Sequence, residues 1–231
     1  MKTIILYGLK RSGNHFLIST ILQQFSNCVH INNVKLSYDK YIEWKNIEKT
    51  KERIDCDWTG FKGVECVVIS LENKIIDNNE FDKFKNIDNC NFLMLLRCPY
   101  CNFSSVWKVY NKNENKLRLS VKLWKIYAKY FLNNNEVIKV LYDELATNNN
   151  YMYDVLKKLG IDNIKKVDNN KYIKWQLSSF KKNKTKQKQV YKTLENCIFK
   201  DDKDFIRLVK DKEIDNLWNL SRKVGIEMSS V

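Results

Sequence analysis

Short apolar runs alternate along the chain with segments whose apolar positions recur at helical spacing. The apolar runs predict strands over residues 3–7, 28–31, 65–70, 92–96 and 137–142. The helical spacing predicts helices over residues 14–25, 103–110, 117–132, 143–159 and 203–224, with a helix and loops over 35–59. This alternation predicts a three-layer α/β fold with a central parallel sheet. Because the chain has no internal repeat and no Gly- or Pro-rich linker, we expect one domain over residues 1–231.

The charge balance indicates an anionic ligand without identifying it. Lys and Arg exceed Asp and Glu by enough to give a net charge of +14. Such a protein attracts nucleotides, nucleic acid, acidic glycans or anionic membrane surfaces. A solvated Lys-rich surface explains the same excess, so the charge alone does not choose among these partners.

The chain shows no sign of export or of a membrane span. No apolar run approaches the roughly 18 residues that a span requires. The N-terminus passes from a short apolar run directly into Gly8, whereas a signal peptide needs a longer apolar stretch and a cleavage site. We therefore expect a cytoplasmic protein.

A glycine-containing turn joins the first predicted strand to the first predicted helix. Gly8 and Gly13 have the spacing of the Walker A phosphate loop, but Asn14 and His15 stand where that loop has Lys and Ser/Thr. Those two missing side chains normally reach the β/γ-phosphates and hold Mg²⁺. Backbone N–H groups and the helix dipole can still bind a phosphate group here. The loop therefore disfavours an ATPase or a kinase and favours a nucleotide that needs neither side chain.

A second motif follows the strand predicted over residues 92–96. Arg97 ends this strand, Pro99 lies in a turn, and Ser105 comes eight positions after the arginine. A guanidinium holds phosphate oxygens in a fork, and a hydroxyl near a helix start adds a donor. Two ordered phosphate motifs, each after a predicted strand, are more specific than either motif alone.

The two motifs resemble those of the sulfotransferases that use 3′-phosphoadenosine-5′-phosphosulfate (PAPS). The run Arg11-Ser12-Gly13-Asn14-His15-Phe16 matches the family's 5′-phosphosulfate loop, [KR]-S-G-x-x-[WFL]. The spacing of Arg97 and Ser105 is similar to that of the family's 3′-phosphate motif. The resemblance implies a P-loop-like sulfotransferase fold and transfer of a sulfo group from PAPS to an acceptor hydroxyl or amine. It also implies PAP as the product and no metal.

The resemblance further implies which residues bind the nucleotide. Arg11 takes the position of the basic residue at the 5′-phosphate, and Arg97 and Ser105 take those of the 3′-phosphate ligands. Tyr142 is expected near the adenine, with a core tyrosine as the alternative. A loop that closes over the nucleotide is expected near residues 175–182, although the R-K-G motif of the cytosolic enzymes is absent. The expected nucleotide ligands are Lys10, Arg11, Ser12, Gly13, Asn14, His15, Phe16, Arg97, Ser105, Tyr142, Ser178, Ser179 and Lys181.

Sulfuryl transfer needs a base for the acceptor proton and cations for the leaving phosphate. In the family a His or a Glu at the end of the strand between the two motifs is the base. Glu72 falls at about that position and is our predicted base, with His30 and Glu65 as alternatives and a solvated loop carboxylate as the non-catalytic interpretation. Ser70 stands where the family has a catalytic Lys, which leaves Arg11 to stabilise the transition state.

A redox function is the sharpest alternative. Cys98-Pro99-Tyr100-Cys101 is the glutaredoxin tetrapeptide, and a helix start can activate such a thiol. Glutaredoxin-like folds, however, place the pair after the first strand and need a second, cis proline, whereas this chain has one proline. The seven Cys are expected to be free thiols, and the two His complete no familiar zinc pattern.

Two further functions remain open at this stage. A P-loop nucleotide or nucleoside kinase shares the fold but needs the missing Lys and hydroxyl. A basic polyanion- or nucleic-acid-binding protein explains the charge but not the ordered phosphate motifs. The acceptor carries no signature, and a glycan, a protein tyrosine or a small alcohol would each fit.

Overall fold

The fold is built on a central sheet of parallel strands. A computed structural model describes residues 1–32, 36–46, 63–75, 77–167 and 194–227. The strands are β1 (Lys2–Gly8), β2 (Cys28–Asn32), β3 (Cys66–Glu72), β4 (Cys90–Leu96) and β5 (Ile138–Leu141). They form one all-parallel sheet in the order β2-β3-β1-β4-β5, flanked by helices. The predicted α/β class is confirmed, and all five predicted strands are present.

The helices account for most of the remaining described residues. They are α1 (Asn14–Leu22), α2 (Tyr38–Asn46), α3 (Asn78–Lys85), α4 (Pro99–Val109), α5 (Glu114–Asn133), α6 (Tyr142–Thr147), α7 (Asn149–Lys158), α8 (Lys203–Val209) and α9 (Lys212–Glu227). The sequence pattern did not predict α3. Asp77 caps this helix by accepting a hydrogen bond from Glu80 N at 3.0 Å, and Phe81 and Phe84 are its buried residues.

The single helix predicted over residues 143–159 is wrong, because the chain divides there into α6 and α7. Asn148 between them has extended backbone (φ −123°, ψ 109°). Its Oδ1 accepts hydrogen bonds from the backbone N–H groups of Asn150 and Tyr151 at 3.0 and 3.2 Å. An asparagine that caps a new helix in this way ends the preceding one. Gly160 follows α7 with φ +66°, which suits its predicted role as a helix stop.

The chain divides into two compact units. The first contains the described residues of Met1–Gly8, Asn14–Leu93 and Leu156–Lys186. Its core is formed by the apolar strands β1 and β3, which pair in parallel. Phe92 stacks against Tyr7 and Phe81, with ring centroids 6.3 and 4.1 Å apart. The prediction of a single domain stays a prediction.

The second unit has an aromatic helical core. It contains the described residues of Leu9–Gly13, Met94–Val155 and Gln187–Val231. Trp124 on α5 is fully buried and meets Phe103 of α4 and Trp218 of α9, with ring centroids 6.2 and 6.5 Å away. These rings join α4, α5 and α9 into one packed group.

The strand order fixes where a ligand is expected. From the carboxyl end of β1 the chain continues towards β2 on one side of the sheet, and from β4 it continues towards β5 on the other. Open α/β sheets bind ligands at the carboxyl edge where such a reversal occurs. The segments that follow Gly8 and Leu96 are therefore the expected ligand site, and both contain a predicted phosphate motif.

Candidate functional site

The turn after β1 has a backbone that few sequences could adopt. Arg11 has φ +69° and Gly13 has φ +91°. A Cβ atom at Gly13 would lie 2.1 Å from the Tyr142 ring, so both the dihedral angle and the space require glycine at this position. The segment Leu9–Gly13, the phosphate loop, is thus shaped by left-handed residues and by the ring packed against it.

The two predicted phosphate motifs meet in the second unit. Arg11 Nε donates a hydrogen bond to Ser105 Oγ at 3.0 Å, and Arg97 Nη1 donates to the carbonyl oxygen of Arg11 at 2.8 Å. The residues come from the turn after β1, the end of β4 and the α4 helix. The resemblance to the sulfotransferase motifs predicted that these residues bind one nucleotide, and the structure places the three of them together.

Arg97 has contacts through its backbone carbonyl and its guanidinium group, and one of its side-chain donors remains available. Its carbonyl oxygen accepts a hydrogen bond from Trp124 Nε1 at 3.0 Å, and its guanidinium carbon lies 4.8 Å from the centre of the Tyr142 ring. Its Nε is buried and has no hydrogen-bond partner among the residues that the structure describes. A buried donor without a partner in a protein structure indicates a missing acceptor.

The cationic groups of the site are not paired with carboxylates among the residues that the structure describes. Within those ranges, neither Arg11 nor Arg97 forms an ion pair. Asp143, next to Tyr142, instead accepts a hydrogen bond from the backbone N–H of Cys98 at 3.0 Å. Burial raises the pKa of Asp143, while that hydrogen bond and the charge of Arg97 act in the opposite direction. Guanidinium groups in such surroundings are suited to binding an anion.

Asn102 is the contact residue that sequence reasoning missed. Its Nδ2 donates to the carbonyl oxygen of Lys10 at 2.9 Å and lies 3.3 Å from Ser12 Oγ. Ser12 is buried, and its backbone N–H donates to Leu9 O at 3.1 Å. Ser12 therefore supports the shape of the loop, while the side chain of Lys10 is exposed.

The two positions that depart from Walker A lie in the first unit, at the start of α1. Asn14 is buried against Gly8, where an added Cβ would lie 1.9 Å from Asn14 Oδ1. His15 is half-buried, and its ring meets that of His30 edge-on with centroids 6.3 Å apart. Phe16, the next residue of the same helix turn, is also half-buried.

His30 is part of a buried polar chain on β2 and β3. Ser70 Oγ donates to Asn32 Oδ1 at 3.1 Å, so it accepts from His30 Nε2 at 2.9 Å. Burial, with repulsion from His15, lowers the pKa of His30 from 6.5 to about 3. His30 is therefore neutral and 1% exposed, which disfavours it as a base that contacts an acceptor.

Glu72 lies at the carboxyl end of a central strand, and its role as a base stays a prediction. It is half-buried at the carboxyl end of β3, in register with Gly8 at the end of β1. Glu65, the alternative, precedes the amino end of β3, where its carboxylate accepts a hydrogen bond from Ser26 N at 2.9 Å. The two carboxylates thus lie at opposite ends of one strand.

The cysteine pair has the wrong surroundings for thiol chemistry. Cys98 and Cys101 are both buried, and both are thiols that are not joined in a disulfide. Burial and the hydrogen bond to Cys101 raise the pKa of Cys98 well above its usual value. A reactive thiol requires the opposite shift and access to solvent.

Some predicted features lie outside the described residues or remain untested. Ser178, Ser179 and Lys181 fall outside the described ranges. In the part of the chain that is described, no cluster of three His, Cys, Asp or Glu side chains could hold a metal ion. The described helices are each too short or too polar to cross a membrane. Tyr142 is buried against Gly13, and its role near adenine stays a prediction.

Comparison with known proteins gives little further information. No protein-family model matches the chain, and no curated protein matches it in sequence. Among solved structures, the chain is similar to the crystal structure of a mouse sulfotransferase complexed with PAP. The match has 14% sequence identity and a TM-score of 0.44, and covers 98% of this chain and 82% of that chain. Likeness at this level carries no argument about function, which must come from the contacts above.

Proposed function

We propose that this chain is a PAPS-dependent sulfotransferase that transfers a sulfo group to a hydroxyl or amine of an acceptor, with a glycan as one candidate. The observation that carries the proposal is the meeting of the two phosphate motifs. Arg11 Nε lies 3.0 Å from Ser105 Oγ, and Arg97 Nη1 lies 2.8 Å from Arg11 O. Arg11 and Arg97, which are 86 residues apart in the sequence, thus lie side by side. A nucleotide with two separate phosphate groups could then bind one arginine with each group.

The residues present fit such a nucleotide. The Nε of Arg97, which has no hydrogen-bond partner among the described residues, and the hydroxyl of Ser105 are suited to the 3′-phosphate. Arg11 and the phosphate loop are suited to the 5′-phosphate. When bound, PAPS supplies the sulfo group. Arg11 and Ser105 are hydrogen-bonded to each other in this structure. When the nucleotide binds, each of them would instead hydrogen-bond to phosphate oxygens.

Glu72 is our proposed base. Its carboxylate would accept the proton of the acceptor hydroxyl, and the cationic charge of Arg11 would stabilise the charge that develops on the 5′-phosphate. The support for Glu72 is its place at the carboxyl end of β3, in register with the residue that precedes the phosphate loop. Parallel strands end at one edge of a sheet, where open α/β folds bind ligands.

The test is calorimetric titration with PAP, AMP, ADP and ATP–Mg²⁺. We expect micromolar binding of PAP that greatly exceeds the binding of AMP. Arg97→Ala should weaken the binding of PAP by about 10- to 100-fold, since a hydrogen bond to a charged group contributes ~1.5–3 kcal/mol. The same substitution should leave the binding of AMP nearly unchanged. The matched control is Arg118→Ala, which removes the same charge from an exposed i,i+4 pair with Glu114. Glu72→Gln should retain PAP binding and lose transfer to a panel of hydroxyl acceptors.

Other outcomes would redirect the search. Equal binding of PAP and AMP would overturn the sulfotransferase proposal. Tight binding of ATP–Mg²⁺ would favour a kinase. Salt-sensitive binding of nucleic acid without nucleotide discrimination, lowered equally by Arg97→Ala and Arg118→Ala, would favour a polyanion-binding protein.

A further inference from the structure

Asn102 has a buried carboxamide that hydrogen-bonds to the phosphate loop and to the α5 helix. It lies one helical turn before Ser105 on α4 and is 0% exposed. Its Nδ2 donates hydrogen bonds to Lys10 O and Ser12 Oγ, and its Oδ1 accepts a hydrogen bond from Ser120 Oγ of α5 at 3.1 Å. We infer that Asn102 is a positioning residue, which holds Arg11 in the geometry that anion binding requires. This inference rests on the proposed function.

The contacts of Asn102 bracket Arg11 in the chain. One bond goes to the residue before Arg11 and the other to the residue after it. Arg11 itself has φ +69°, which is unfavourable for a residue with a side chain. Such a conformation persists where the surroundings fix the backbone on either side, and Asn102 supplies that constraint.

The orientation of the amide is fixed by Lys10 O and supported by Ser120. A carboxamide has one accepting and one donating end, and Lys10 O can only accept, so Nδ2 faces the loop. The hydroxyl of Ser120 on α5 then donates to the accepting end, Oδ1, at 3.1 Å. A turned amide would place Oδ1 against a carbonyl oxygen, so the loop sets the direction of the contact and α5 stabilises it.

Asn102 differs in this respect from Arg97, which also contacts the loop. The Arg97 bond to Arg11 O uses a terminal guanidinium nitrogen that a bound phosphate would compete for. The Asn102 side chain is fully buried, so its amide is not exposed to a ligand in solution. The loop therefore keeps its shape through Asn102 when Arg97 turns to the nucleotide.

The experiment combines two measurements on the full chain. Asn102→Leu keeps the approximate volume and removes both loop contacts, and Ser120→Ala removes only the hydrogen bond that Oδ1 of Asn102 accepts. The control is Ser104→Ala, because Ser104 is equally buried on the same helix but bonds to Cys197 at 2.7 Å. Amide hydrogen exchange reports the Ser12 N–H bond to Leu9 O, and calorimetry reports PAP affinity.

In Asn102→Leu we expect faster exchange at the loop and about 10-fold weaker PAP binding, which corresponds to ~1.4 kcal/mol. Ser120→Ala should show the same two changes to a smaller degree, and it tests the inference if Asn102→Leu does not fold. Ser104→Ala should lower stability without changing either readout. Loop exchange equal to that of wild type in both variants, or unchanged PAP affinity in a wild type that binds PAP, would overturn the inference. Failure of wild type to bind PAP would overturn the proposed function instead, while hydrogen exchange would still decide whether Asn102 holds the loop.

Discussion

Two polar clusters, one in each unit, handle their hydrogen bonds in opposite ways. Around Arg97 the donors are charged, partly exposed and directed at a carbonyl and a hydroxyl. Around His30 the hydrogen bonds along β2 and β3 join uncharged groups to one another, and His30 and Ser70 are buried. The first cluster has charged donors without a carboxylate partner among the described residues, whereas the second pairs its donors with acceptors along the strands. This difference in charge, more than any difference in polarity, is why we propose the first cluster as the anion site.

The largest effect should come from the loop that shapes the charged cluster. Gly13→Ala places a methyl group 2.1 Å from the Tyr142 ring at φ +91°. Left-handed strain and overpacking together should lower the free energy of unfolding by about 2–4 kcal/mol. Urea unfolding provides the measurement. Gly63→Ala is the matched control, since Gly63 has φ +72° but its nearest Cβ neighbour is 3.8 Å away. Equal losses would show that the Tyr142 contact is unimportant.

The neutral cluster predicts a pH dependence of intermediate size. The pKa of His30 is lowered from 6.5 to about 3, so the unfolded chain binds a proton that the folded chain does not. Stability is then retained above pH 6.5 and lost as pH falls below it, by about 1–2 kcal/mol in all between pH 6.5 and 5. His30→Gln should flatten the profile between pH 6.5 and 5, as measured by urea unfolding. Identical slopes in the two proteins would contradict the burial of a neutral His30.

The smallest effect should come from a cation that has carboxylate partners. Lys125 pairs with Asp211 and with Glu213, the latter at 2.7 Å. The contact with Lys125, followed by a second contact with Lys129 at 2.8 Å, lowers the pKa of Glu213 from 4.5 to about 2, so their stabilisation is lost as pH falls through that range. Lys125→Met should reduce this acid sensitivity and change PAP affinity by less than about twofold, because the charge is already paired. A larger loss of PAP binding would contradict the expectation that a cation paired with carboxylates, such as Lys125, does not contribute to anion binding.

The strands could be predicted because their signal is local. Runs such as Val67-Val68-Ile69 and Leu93-Met94-Leu95 are apolar throughout and fully buried, as parallel strands between helices require. The α3 helix was missed because only Phe81 and Phe84 face the core in an otherwise polar segment. The break at Asn148 was missed because an asparagine in a helical pattern caps a new helix only when the backbone turns there.

The candidate site likewise contains residues that the sequence could predict and one that it could not. Arg97 and Ser105 could be paired from spacing, since both follow one strand and lie on or before one helix. Asn102 could not be found in this way. Its partners are about 90 positions earlier in the chain, and no periodicity signals a contact of that range. It also lies directly after the Cys98–Cys101 tetrapeptide, where the sequence directs attention to the thiols.

The backbone of Arg11 has a consequence for how this protein would change under selection. Its left-handed conformation costs roughly 1 kcal/mol that a glycine would not incur. Directed evolution for heat resistance alone should therefore favour replacement of this arginine, while a screen that also demands ligand binding should retain it. Position 11 is where thermal robustness and chemical capability act against each other in this chain.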